Sequence, residues 1–540
     1  MTEIQEKIAG MFPEAEFDTS DVLTVSVPDA RLHELAKTLR DECHFDFLVT
    51  IIGMDWVEKM GCLYYLESTE KHNRIAIKAT TDDRVNPMLH SIADLWPIAG
   101  IFEREVYDFF GIVFIGNPDM RRLFLSIDWK GFPFRKDYDA NPELNPVSTE
   151  NERQSDFTDT YVETPDGKVE KQEVRVFAND DFVVNIGPQH PATHGVLRFR
   201  TAVDGETIKK IDVYMGYIHR GVEKISESLT YPQTLHFMDR LDYFSAHPYH
   251  HCLCMTYEEA AGIEISRRAQ VIRVIMDELS RIASHCLFIG TFCMDLGATT
   301  MLFYTLRVRE QILDIMDKTC GARMTFNYEC IGGLMQDIDK DFVKDVKDLL
   351  AVLPANLKEY DKIFTGNVIT QNRMVGVGYL SHDDAIAWSV TGPSGRASGW
   401  ACDVRKTAPY SIYSELDFEQ VVRTEGDSMA RFKVRMDEIV QSAKIIEQLI
   451  DNIPDGEVCV KVPKVLKLPV GHWFRTVEGC RGTFGIYLES NGTTNPYRLK
   501  IVPPCLPAAA VVDHITRGNK IADLITIGGS LDYIVPDMDR

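Results

Sequence analysis

One stretch governs how this chain must fold. Between about Asp139 and Asp180 it runs NPELNPVSTENERQSDFTDTYVETPDGKVEKQE, charged, proline-containing and nearly free of periodic apolar residues. Such composition buries too little apolar surface to offset the entropy of ordering, so it reads as a linker. The chain then divides into 1–140, a charged linker at 141–178, and 179–540. At 540 residues it also exceeds one typical hydrophobic core.

The first part reads as a small α/β domain. Leu23, Val25 and Val27 alternate with Thr24 and Ser26 as a strand does, and Leu32, Leu35, Ala36 and Leu39 then recur at helical spacing. Strand-like runs follow at 47–52, 62–66 and 74–79. After Pro97 an amphipathic helix aligns Phe102, Val106, Phe109 and Phe110, ending at Gly111. The last part is mainly α, with β pieces at both ends. Asp204-Gly205 sits between two alternating runs as a hairpin turn does. Apolar stripes at 271–283, 302–315 and 429–453 predict long helices.

Lys plus Arg number 58 and Asp plus Glu 81, a formal charge of −23. A surface this acidic repels phosphate backbones and anionic lipid, which argues against nucleic acid as a partner. No apolar run approaches the ~18–20 residues that span a bilayer. The start, MTEIQEKIAGMF, lacks the basic and apolar regions of a secretory signal. If a membrane is involved, a partner mediates it. The 12 cysteines are scattered, form no C-x-x-C pair and read as reduced, mostly buried thiols. An iron–sulfur cluster, which needs grouped thiolates, has no evident home among them.

Three stretches carry reactive side chains. GPQHPATHG (187–195) reads as a tight loop presenting His190 and His194, because Pro191 and two flanking glycines oppose a helix. The same spacing serves histidines that only bond loop backbone, and spacing alone favours that blander role. MDRLDYFS supplies Asp239, Arg240, Asp242 and Tyr243, though a tyrosine there is more often a satisfied core aromatic. Asp295, in FCMDLGATT, is an acid amid apolar residues, either a helix cap or a functional carboxylate. The cluster HPYHHCLC holds His247, His250, His251, Cys252 and Cys254, but adjacent ligands converge poorly on one ion. Arginines 240, 267, 268, 273 and 281 alternate with acids and read as ion-paired faces. Walker loops, Rossmann fingerprints and nucleophile elbows are missing from the sequence.

At these residues the sequence resembles a known family. GPQHPATHGVLR, YIHRGVEK, MDRLDYFS, DLGATT, GARM, GRASG, DVRKTAPYSIY and the closing MDR follow one another as in the D subunit of respiratory complex I. FEREVYDFFGIVFIGNPDMRRLFL and DWKGFPFRKDY, within 102–138, resemble the C subunit. The whole looks like a C/D fusion. The resemblance implies an α+β multidomain fold: a small α/β C-like domain, and a mainly α D-like domain of the [NiFe]-hydrogenase large-subunit type. That hydrogenase family places nickel on two cysteine pairs. Here Arg220-Gly221-Val222-Glu223 remains, but MDRLDYFS and DYIVPDMDR stand where the cysteines belong, so the tetrathiolate site cannot form.

What the resemblance implies for mechanism falls on individual residues. His194 and Tyr243 match the pair that holds the quinone carbonyls, Asp295 matches the carboxylate paired with that histidine, and His190 shares the loop. Reduction to quinol takes two electrons and two protons, which a phenol and an imidazolium can supply. Arg220 matches the residue beside the terminal [4Fe–4S] cluster of the neighbouring B subunit. The resemblance further implies B, I and H subunits as partners, with other peripheral-arm subunits. It implies menaquinone or ubiquinone as substrate, NAD bound elsewhere in the complex, and no cofactor on this chain alone. It places the chain peripherally on the cytoplasmic side of the bacterial inner membrane. Ferredoxin or another donor in place of NADH, and a purely structural scaffold, are the competing readings.

Two departures stand out. The family's G-A-R-M-H is Gly321-Ala322-Arg323-Met324-Thr325 here, removing a titratable residue beside that cluster. Its usual Pro-Arg-Gly-Glu is Cys480-Arg481-Gly482-Thr483. Arg104, Arg121, Arg122, Arg135 and Lys136 of the C-like domain read as interface cations.

Overall fold

A computed structural model describes residues 2–139, 156–190, 193 and 195–540. The N-terminal part builds a five-stranded sheet from β1 (Glu16–Asp18), β2 (Thr24–Ser26), β3 (Phe47–Asp55), β4 (Met60–Glu67) and β5 (Arg74–Thr81). Its order is β1-β2-β5-β4-β3, with β2 and β5 parallel and the remaining neighbours antiparallel. The predicted helices form at Asp29–Cys43 and Ala99–Phe110, and the second stops where Gly111 takes φ 76°. Val106 and Phe110 of that helix lie against Gly53 of β3. Every residue of β3 and β4 is buried, on both faces.

The second face of that sheet explains the burial. Tyr65 packs against Phe474 with centroids 4.5 Å apart, and Phe47 meets Trp400 edge-on at 4.9 Å. Tyr497 donates to Asp55 O at 2.7 Å and Trp56 to Glu489 Oε1 at 3.2 Å. One apolar core runs from Ile8 through β3 and β4 into Leu506, Ile527 and Met538. The two parts are thus fused in space as well as in sequence.

In the second part, the hairpin at Asp204-Gly205 joins strands Arg198–Asp204 and Thr207–Tyr214, with Phe182–Ile186 on the outer edge. Helices Arg267–Asp295, Thr300–Cys320, Phe342–Tyr360 and Ser428–Ile450 build a second core. Strands Gly471–Glu478, Thr483–Ser490 and Arg498–Val502 close the antiparallel sheet that meets the N-terminal domain.

The linker at 141–178 needs correction. Residues 140–155 lie outside the described residues, but Phe157–Glu163 and Val169–Arg175 pair as an antiparallel hairpin. Its turn is built by Thr164, whose hydroxyl contacts Asp166 Oδ1 at 2.6 Å, and by Gly167. Thr158 and Thr160 anchor the hairpin to Asp119 and Asn117 of the N-terminal domain at 2.7 and 2.9 Å. The polar residues that made the segment look unfoldable are the ones that dock it.

Candidate functional site

Four stretches far apart in sequence meet around the C-terminus. The helix Asp523–Leu531 is capped by Asp532 in the left-handed conformation at φ 59°, and a last short helix, Val535–Asp539, follows. Asp539 accepts backbone N–H bonds from Gly216 (2.8 Å) and Ile218 (3.1 Å), while its carbonyl lies 2.6 Å from His219 Nδ1. Arg220 N donates to Arg540 O at 3.3 Å. The H-R-G-V-E stretch therefore grips the closing Met-Asp-Arg.

Arg540 is buried and reaches inward to Glu223, 3.0 Å away, and to Glu105 of the N-terminal domain. Lys500 contacts the same two carboxylates, and Arg498 lies 2.8 Å from Glu223. Burial alone would raise the Glu223 carboxyl. Lys500, Arg498 and Arg540 overcome that and hold it at about 2.

Tyr243 is half-buried, with its ring 4.2 Å from Phe244. Burial raises its phenol above the ordinary value, opposed by the Arg481 charge. Its neighbour Asp242 is fully buried and accepts from Arg481 Nη1 at 2.6 Å. The same guanidinium bonds Ser284 Oγ at 3.0 Å and Asp532 O at 3.0 Å. Burial opposes the Arg481 charge, but Asp242 and Asp532 hold it well above its usual range. One arginine thus locks the Tyr243 stretch to a long helix and to the C-terminal turn.

Of the predicted site residues, His194 lies outside the described residues. The backbone of His190 belongs to a two-residue strand, Gln189–His190, paired with Gly195–Val196 so that His190 faces Gly195. The tip of the expected loop, at 191, 192 and 194, lies outside the described residues, and Gly195 meets Val535 of the C-terminal turn. Asp295 closes the helix Arg267–Asp295, half-buried, and its charge helps burial to raise the Tyr533 phenol of the same turn. Tyr243, the 187–195 loop and Asp295 are therefore all tied to residues 532–535.

Arg220 is exposed and donates to Arg240 O at 2.9 Å, so the two arginines share one edge. Partial desolvation of its guanidinium at this edge and the nearby Arg240 charge lower the Arg220 value. The 321–327 loop joins this edge, because Asp239 accepts both from Asn327 N at 3.3 Å and from His250 Nε2 at 2.6 Å. Thr325 sits at φ 57°, its hydroxyl 2.6 Å from Met324 O.

The α-helical histidines do not converge on an ion. His247 faces Glu329, His250 faces Asp239 and His251 faces Asp277, each at 2.6 Å and buried. Three of the interleaved arginines are paired over long range, Arg267 with Glu415, Arg268 with Asp337 and Arg273 with Glu258, whereas Arg281 pairs with Glu278 on its own helix at 3.3 Å. Arg121 and Lys136, read as interface cations, bond Asp212 (2.8 Å) and Glu227 (3.0 Å) of the second domain, so part of that interface is internal. Arg104, Arg122 and Arg135 are turned to the N-terminal domain's own backbone and acids. Cys480 places its sulfur 2.7 Å from Ser245 Oγ, and Thr483 N donates to Thr391 Oγ1 at 2.9 Å. The roles of Asp242, Arg481 and Glu105 escaped sequence reasoning.

Among the described residues no helix is long and apolar enough to cross a membrane. Residues 25–143 match the family model described as respiratory-chain NADH dehydrogenase, 30 Kd subunit. Residues 295–540 match the 49 Kd subunit of the same enzyme. The C/D subunit of NADH-quinone oxidoreductase from Bacteroides thetaiotaomicron is 52% identical, aligned over 95% of this chain and 98% of the relative. The protein of the same name from Nitrosospira multiformis is 37% identical over 88% and 82%. The unfused D subunit from Desulfotalea psychrophila is 44% identical and covers 67% of this chain with 98% of its own length. With both subunit patterns in one chain, and a relative of the same fused form matched nearly end to end, this chain belongs to the family of fused C/D subunits of NADH-quinone oxidoreductase, peripheral subunits of respiratory complex I.

Proposed function

We propose that this chain forms the quinone-reduction site of complex I together with the cluster-bearing B subunit and the membrane H subunit. It would sit, with the I subunit and the rest of the peripheral arm, on the cytoplasmic face of the inner membrane. The observation that carries the reading is the mooring of Tyr243: a half-buried phenol whose neighbour Asp242 is fixed by Arg481 to the turn that also meets the 187–195 loop.

Quinone plus two electrons and two protons gives quinol. The phenol of Tyr243 and the imidazolium of His194 donate to the two carbonyl oxygens as these gain basicity, and Asp295 keeps His194 charged and oriented. His190 lines the same loop. The electrons come from the [4Fe–4S] cluster of the B subunit, which Arg220, exposed at the shared edge with Arg240, would face. Among the described residues no group of three or more ligating side chains could hold such a cluster. The relatives' name favours NADH as the donor, bound elsewhere in the complex. The retained Arg220–Glu223 stretch, placed against the C-terminus where hydrogenase ligands would stand, supports a hydrogenase large-subunit-like fold for the second domain.

The test is quinone reduction by the assembled complex carrying Tyr243→Phe or His194→Ala. Each is expected to lower turnover by ~10²-fold or more with assembly and upstream NADH oxidation by an artificial acceptor intact. Unchanged quinone turnover in both variants rejects the reading in favour of a scaffold.

A further inference from the structure

Cys330 and Cys459 bring a different chemistry together. Cys330 ends the strand Glu329–Cys330, and the chain turns through Ile331 and Gly332 so that Gly333 pairs with Cys330. The other edge of Gly333 pairs with Cys459. Leu334 N donates to Val458 O at 3.0 Å and Val460 N to Gly332 O at 2.9 Å. A side chain on Gly333 is excluded, since its Cβ would lie 2.0 Å from Val458 O at a φ of 144°. Two thiols reach toward each other over this bare glycine and stand 3.9 Å apart, Sγ to Sγ.

The frame around them is rigid. Arg273 Nη2 donates to Cys330 O and Gly333 O at 2.9 Å each, and Glu258 accepts from Gly332 N at 2.8 Å while neutralising Arg273. Cys459 is exposed and Cys330 partly so, whereas most other cysteines are buried. A small ion can reach this pair from solvent.

Register decides what the pair can do. With Gly333 between them the backbones stand two strand spacings apart, roughly 9–10 Å. A disulfide needs Cα atoms within ~7 Å. Two thiolates on one tetrahedral ion with bonds of ~2.3 Å lie about 3.8 Å apart, which these sulfurs already satisfy.

We propose that Cys330 and Cys459 form a two-thiolate site for a thiophilic closed-shell divalent cation of the zinc class, with water completing the coordination. Loading exchanges protons for metal: two S–H bonds break, two metal–sulfur bonds form, two protons pass to water and no electron moves. Metal must displace the thiol protons, so binding strengthens as pH rises. Among the described residues no set of three or more ligating side chains surrounds an ion, so a two-sulfur site is an exchangeable one rather than a structural zinc site. Thiolate softness selects zinc-class ions over magnesium or calcium. The site rests on none of the quinone-site assignments.

The experiment titrates the reduced full-length chain with cadmium ion alone and follows the ultraviolet sulfur-to-cadmium charge-transfer band. One equivalent is expected to saturate it, with about two protons released per ion, and zinc ion to bleach it by competition. Cys330→Ser and Cys459→Ser should each abolish the band, and Cys320→Ser should leave it. Alkylating exposed Cys459 on the folded wild-type chain should abolish it too, independently of any folding defect in the variants. A missing band, or one that survives both substitutions, overturns the proposal. So does a Cys330–Cys459 disulfide found by mass spectrometry after mild oxidation of the native chain, because it would place the backbones closer than the register allows.

Discussion

Arg481 donates from Nη1 to Asp242 Oδ2 at 2.6 Å, joining two buried side chains 239 positions apart. Removing one member strands the other's charge in a low-dielectric interior, which costs ~3–5 kcal/mol. Arg481→Met is therefore expected to lower the melting temperature clearly. Arg481→Met combined with Asp242→Leu should recover much of the loss, since the stranded Asp242 charge is gone and Asp532 keeps Arg435, 3.6 Å away. A double variant as unstable as the single one would show that packing rather than charge dominates. Midpoints suit a chain of this size better than extrapolated free energies.

Glu105 offers the corresponding test between domains. It and Glu223 are the carboxylates facing buried Lys500 and Arg540. Glu105→Ala leaves Lys500, Arg540 and Arg498 sharing Glu223, and ~3–5 kcal/mol of destabilisation is expected. Because the apolar core is continuous between the domains, chemical denaturation should show both halves unfolding earlier together. Earlier loss of the N-terminal half alone would contradict the shared core.

His90 predicts a pH effect. Its Nδ1 lies 2.6 Å from Asp29 and its Nε2 3.4 Å from Glu163 of the 157–175 hairpin. The bond to Asp29 leads in raising its pKa from 6.5 to about 9, against partial burial. The folded value exceeds the unfolded one. The stabilisation is thus complete below about 6.5 and fades as pH rises through about 9. Wild-type melting temperature should fall relative to His90→Asn between pH 7 and 10, and hydrogen exchange in the hairpin should speed up. Parallel pH profiles for the two proteins would refute this.

Thr325 occupies a left-handed conformation, φ 57°, that a β-branched residue adopts at a cost on the order of 1 kcal/mol. Thr325→Gly should raise the melting temperature slightly. Thr325 cannot titrate, so the partner cluster should show little pH dependence in a redox titration of the assembled complex, and Thr325→His should introduce one. A steep pH slope in the unsubstituted complex would assign that proton to another group.

Much of the site was legible in local signals. The apolar stripe at 271–283 did become a helix, because hydrophobic periodicity acts within a few residues. The strand Gly471–Glu478 was missed: its polar residues have long-range partners, with Arg475 against Asp21 and Thr476 against Arg74. The 157–175 hairpin was missed for the same reason, its threonines being satisfied by Asn117 and Asp119.

By itself the sequence determined the order of helices and strands and which reactive side chains exist, since backbone sterics and hydrophobic period are set by near neighbours. Only the tertiary structure decided how charges are shared. Glu105 meets Lys500 and Arg540 across 395 and 435 residues, and Arg481 reaches Asp242 from the opposite end of its domain. Buried charges survive only where an opposite charge arrives through space, and no local rule encodes which distant residue will bring it.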